Sequence, residues 1–138
     1  MIERVLLDTG PLVALLHKRD SHHKRCVASI RSMRADLITC WPVITEAAWL
    51  LKSRPRELHE MMSRVGRGAY VLADLQRDAA WWIGDFLIRY AEQKAQLADA
   101  ALMYLAEREG IRKVLTLDLR DFSIYRTTKG LALDLILL

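Results

Sequence analysis

The chain has 138 residues, 52% hydrophobic and 28% charged, with 21 Lys+Arg against 17 Asp+Glu for a net charge of +4. That length suits a single domain (1–138) with one core, and the balance excludes a disordered or fibrous polymer. A pI near 9.3 favours an anionic partner such as nucleic acid, although charge alone does not separate that from an ordinary basic protein.

Residues 4–8 (RVLLD) form a short apolar run halted by Thr9-Gly10-Pro11, the pattern of a buried strand ending in a tight turn. Pro11 suits the start of a helix, and Leu12, Leu15 and Leu16 share one face of it. Ser21 is placed to cap a second helix through about Met33 that turns Cys26, Val27 and Ile30 inward. Residues 36–41 (DLITCW) predict a second strand. Pro42 then starts the helix VITEAAWLLK and Pro55 the next, whose Leu58, Met61, Met62 and Val65 make a stripe ending at Gly66 and Gly68.

Residues 70–72 are a third, short strand, and Leu75 to about Glu92 reads as a long amphipathic helix. Residues 97–109 (LADAALMYLAERE) are helical with Gly110 as the stop, residues 113–118 (KVLTLD) are another buried strand, and residues 131–138 form the last. Strands alternating with helices imply a mostly parallel sheet covered on both faces. Trp49, Trp81, Trp82 and the Met61-Met62 pair are expected to lie mostly in the core. Asp8 breaks the first apolar run, no stretch is long enough to span a bilayer, and two isolated cysteines fit a reducing compartment, so a soluble cytoplasmic protein is expected.

Asp8-Thr9-Gly10 is also the tripeptide of aspartic proteases. Those enzymes are built of β-strands and pair two such carboxylates, whereas here helix follows at once. Asp8 needs another use, and three further acids share its predicament of standing where the pattern is apolar. Asp118 closes the strand VLTL, Glu46 shares a helical face with Val43, Ala47 and Leu50, and Asp99 lies in the first turn of its helix beside Leu102 and Met103. Two strands that both end in Asp bring both carboxylates to one edge of a parallel sheet. Four acids there form an anionic pocket that calls for a cation, and Mg²⁺ or Mn²⁺, one or two ions, suits oxygen ligands. No His or Cys stands near these acids in sequence, which argues against zinc; the adjacent His22 and His23, with His17, read as solvent-facing or phosphate contacts.

Four segments, LLDTGPLVALL, ITEAAWLL, LADAALMYLAE and VLTLDLRDF, together resemble the PIN domain, and within it the VapC-type toxins of toxin–antitoxin pairs. The resemblance implies a PIN-like three-layer α/β/α sandwich with a mostly parallel central sheet. It further implies Asp8, Glu46, Asp99 and Asp118 as acidic metal-site positions, with Asp8, Asp99 and Asp118 nearest the ion. Thr9 and Thr116 match its accompanying hydroxyls, Gly10 stands where Ser or Asn is more typical, and Asp121 is either a fifth acid or a surface turn residue. The implied activity is metal-dependent hydrolysis of RNA by water, leaving a 5′-phosphate and a 3′-hydroxyl. The implied partners are RNA, a cognate antitoxin on the helices around Glu46 and the one that follows, and a second copy of the chain. Lys18, Arg19, Lys24, Arg25 and Arg120 are the candidate phosphate contacts. A receiver-like Mg²⁺-binding signalling domain and a PIN nuclease of RNA processing are the rival readings.

Overall fold

The computed structural model describes residues 2–136. In chain order they form β1 (Glu3–Leu7), α1 (Thr9–Leu16), α2 (His23–Ser32), β2 (Ala35–Thr39), α3 (Trp41–Leu50), α4 (Pro55–Gly66), β3 (Val71–Leu72), α5 (Ala79–Arg89), α6 (Leu97–Glu109), β4 (Lys113–Leu115), α7 (Leu119–Ile124) and β5 (Asp134–Ile136). The five strands make one sheet in the order β3-β2-β1-β4-β5, every neighbouring pair parallel. Helices cover it to give three layers, as the α/β pattern predicts. The strand order excludes the receiver-like reading, since that fold runs 2-1-3-4-5.

β1 sits at the centre. Val5, Leu6 and Leu7 have no exposed surface, as a strand covered on both faces requires. Leu6 pairs with Ile38 on one side and Val114 on the other, and Leu7 with Leu115. α6 is the most buried helix: Ala98, Ala100 to Met103, Leu105 and Ala106 are all buried, and the alanines allow neighbouring backbone close. It ends at Gly110, whose φ of 68° is the left-handed value expected of a glycine stop. No helix among the described residues is long and apolar enough to cross a membrane.

Four local expectations need correction. β4 stops at Leu115, so Asp118 does not close the strand; it is the N-cap of α7, a helix of six residues, too short to show periodicity. Ser21 does not cap α2; His22 precedes it, and the Asp20 carboxylate accepts from the His22 N–H at 2.8 Å. α5 is shorter at both ends than the amphipathic pattern. The predicted last strand is present only as Asp134–Ile136, and residues 137–138 lie outside the described ones.

The aromatic bulk is the larger correction. Trp49 is 66% exposed and Trp81 82%, and Met62 is also exposed; Met61 alone of that group is fully buried, with Trp82 half-buried. The reason is phase. Val43, Ile44, Ala47 and Leu51 define the inward face of the α3 region, and Trp49 lies opposite, where Lys52 Nζ covers its ring at 3.2 Å.

Leu7→Ala empties a fully buried site in the central strand. It is expected to lower unfolding free energy by about 2–5 kcal/mol in urea titration, with the denaturant slope unchanged.

Candidate active site

The chain leaves β1 for β2 and β3, then returns to β4 and β5, so the topological switch falls between β1 and β4. Crevices in parallel sheets open beyond the strand ends at such a point. Asp8 follows β1 directly, and Asp118 lies three residues beyond β4. A cleft of about 450 Å³ occurs there, lined by all four acids, Asp8, Glu46, Asp99 and Asp118, together with Thr9 and Leu117. α3 supplies Glu46 and α6 supplies Asp99; the two helices pack against each other.

Each carboxylate is held by a neutral donor. Thr116 Oγ1 donates to Asp8 Oδ2 at 2.7 Å and itself accepts from the Asp118 N–H at 2.9 Å, so one buried hydroxyl fixes both sides of the switch point. Thr9 Oγ1 donates to Glu46 Oε1 at 2.9 Å, tying the start of α1 to α3. Asp99 is the third residue of α6, and its Oδ2 accepts from the Gln96 N–H at 3.2 Å in a capping box and from the Tyr125 hydroxyl at 3.1 Å. Asp118 caps α7, accepting from the Asp121 N–H at 3.1 Å.

None of the ion pairs among the described residues involves these four acids. The cost is visible in their protonation. Burial pushes Asp8 from 3.8 up to about 7, the Asp99 and Glu46 charges add to the rise, and hydrogen bonds from Thr116 and Thr9 oppose it. Burial likewise raises Asp99, with Asp118 and Glu46 adding to it. The Tyr125 hydroxyl is raised by burial and then by the Asp99 charge, so it stays protonated and a donor.

The donor set fits a hard divalent cation: carboxylate oxygens, neutral hydroxyls behind them, and, among the described residues, no cationic side chain already paired with them. The acids ring the cleft without a ready-made ligand cluster. Among the described residues no three His, Cys, Asp or Glu side chains gather closely enough to hold an ion as they stand.

The other expected residues fall on both sides of the line. Gly10 lies so near Leu117 that an added Cβ would meet its side chain at 3.3 Å, which leaves little room for the Ser or Asn more typical there. Asp121 does not line the cleft; it borders a separate pocket on the other side of Asp118. Arg120 lines that same pocket. Lys18, Arg19, Lys24 and Arg25 do not line the cleft, because the eight residues of α1 carry the chain about 12 Å away before they begin. His23 Nδ1 is within 2.7 Å of the Ala14 carbonyl, a bond internal to the fold. Tyr125 was missed in the sequence. Its one clue is its place three residues after Phe122, where both rings join a cluster with Phe86 and Tyr90.

Asp8 gives a pH prediction. Its folded pKa lies above the unfolded value, so the fold favours the protonated form, and that contribution is complete below 3.8 and lost as pH rises through about 7. Asp99 acts in the same direction. Metal-free protein is expected to melt at falling temperature as pH rises across this window, and Asp8→Asn, which cannot ionise, to flatten the trend in calorimetry.

Comparison with known proteins gives the family. The PIN domain family model matches residues 5–128. Ribonuclease VapC26 of Mycobacterium tuberculosis is 30% identical over 129 residues, covering 91% of this chain and 95% of that protein. Among solved structures, the Mycobacterium tuberculosis toxin VapC20, described as cleaving the sarcin-ricin loop, superposes with a TM-score of 0.79 at 19% identity, over 87% of this chain and 94% of the other. VapBC2 from Rickettsia felis, bound to a fragment of promoter DNA, superposes with a TM-score of 0.60 at 13% identity, over 96% and 98%. The chain belongs to the PIN-domain family, and within it is VapC-like.

Proposed function

We propose that this chain is an endoribonuclease that hydrolyses RNA phosphodiester bonds with Mg²⁺ or Mn²⁺, and that it is the toxin of a toxin–antitoxin pair. The observation that carries the reading is the gathering of four carboxylates, none ion-paired among the described residues, in one cleft at the switch point. A ribonuclease 30% identical over nearly the whole chain supports it.

Asp8, Asp99 and Asp118 would hold the ion. When bound, it would supply Lewis-acid neutralisation of phosphate charge and acidify water for attack. The protein would do the rest. Glu46, which accepts from the Thr9 hydroxyl, would serve as a further ligand or orient the attacking water and accept its proton. Thr116 and Tyr125 hold Asp8 and Asp99 by one oxygen each, leaving Asp99 Oδ1 free of hydrogen bonds from the described residues. Water attack, without a 2′-hydroxyl nucleophile, leaves a 5′-phosphate and no cyclic product.

The antitoxin docks on α3 and α4, where Trp41, Trp49, Leu50 and Met62 present apolar surface to solvent. A homodimer would cover further exposed apolar surface, of which Trp81 and Ile88 on α5 are the most prominent. The protein works in the cytoplasm, where RNA and an antitoxin are both available.

Purified protein is expected to cut single-stranded or looped RNA with Mg²⁺ or Mn²⁺ and to lose all cleavage in chelator. Asp99→Asn and Asp118→Asn should each lower the rate by more than about 100-fold, beyond what loss of an outer partner costs, while circular dichroism is unchanged. Full activity in either, or in chelator, would overturn the reading. Tyr125→Phe keeps the ring and removes one hydrogen bond; a rate loss of about 10–100-fold is expected, partly restored at higher Mn²⁺.

A further inference from the structure

The acidic cleft has a neighbour. Asp118 is a wall shared with a second pocket of about 420 Å³, whose other lining includes Lys94, Arg120, Glu92 and Asp121. Lys94 comes from the loop joining α5 to α6, and Arg120 from α7. Lys94 and Arg120 take part in none of the ion pairs among the described residues, although Arg120 lies in the field of Asp121.

The backbone at Lys94 is unusual. Its φ is 55°, and the other positive-φ positions among the described residues, Gly68, Gly110 and Gly130, are all glycine. Glycine takes that conformation without a steric penalty, and lysine does not. Were the turn needed only to swing the chain into α6, glycine would serve better. The chain keeps a cationic side chain there at a cost, two residues before Gln96, whose N–H holds Asp99. Strain of this kind gathers where a side chain has work to do.

We infer that Lys94 and Arg120 form a phosphate-binding subsite beside the acidic cleft, for the nucleotide next to the scissile bond of a single-stranded RNA. This rests on the RNA-hydrolase reading above. Glu92, Asp118 and Asp121 oppose the two cations, so the subsite sets the register and approach of an RNA strand and does not capture free phosphate tightly. A flexible ammonium and a planar guanidinium suit a backbone path followed without regard to base.

The test uses the full chain with Asp99→Asn to prevent cutting, in Mg²⁺, titrated with a labelled single-stranded RNA of mixed sequence over a series of salt concentrations. Lys94→Gly, Arg120→Ala and the pair together are compared with Lys113→Ala, a control at the start of β4, at the end of the strand away from the cleft. The double variant should bind roughly tenfold more weakly at low salt, with a log–log salt slope shallower by about 1.4, two contacts' worth for a single strand. Lys94→Gly should melt at the parent's temperature or above it, because the strain is relieved, while binding RNA more weakly.

Parental affinity and slope in the double variant would overturn the subsite alone, provided the unmodified chain still cuts RNA. Loss of melting temperature in step with loss of binding in Lys94→Gly would show a structural lysine and overturn it as well. Absence of both RNA binding and cleavage in the unmodified chain would sink the hydrolase reading and the subsite with it.

Discussion

The structure turns on a carboxylate set at the buried end of the central strand. Leu7 is completely covered, and the next residue, Asp8, is only 6% exposed. A carboxylate in that position either gives up its charge or finds a cation. The fold supplies no guanidinium for it among the described residues and instead brings up three more acids. What it supplies in their support is neutral: hydroxyls from Thr9, Thr116 and Tyr125, and peptide N–H groups at two helix starts. These orient oxygens without cancelling charge.

This arrangement links distant parts of the chain. The Tyr125 hydroxyl reaches Asp99 from the C-terminal end of α7, and its ring packs on Phe86, Tyr90 and Phe122. Tyr90 in turn accepts from the Arg126 N–H at 2.9 Å. One aromatic cluster therefore holds α5, the start of α6 and the segment after α7 in register, and the Asp99 carboxylate takes its place from all three. Packing and site geometry are the same problem at this corner.

Much of this was legible in the sequence because buried strands and glycine stops leave strong local marks. RVLLD, DLITCW and KVLTLD read as strands from their apolar runs, though β2 ends at Thr39 and β4 at Leu115, short of the predicted ends, and Gly110 announced the end of α6. The four acids were legible because each interrupts an apolar pattern. Tyr125 was not, since a hydroxyl that reaches a partner 26 residues away leaves no periodic trace. The tryptophans misled for the opposite reason: hydrophobicity predicts burial only when the helical phase agrees, and α3 is apolar on both sides. The basic residues after α1 looked close to Asp8 along the chain, but a rigid helix turns eight positions of sequence into distance.

The near-touch between Gly10 and Leu117 couples two positions on different elements flanking the switch point. A side chain added at Gly10 would require Leu117 to give by a few tenths of an ångström. A homologous chain with a bulkier residue in place of Gly10 should carry a smaller one in place of Leu117, and such compensating pairs would be a signature of this branch of the family readable from alignments.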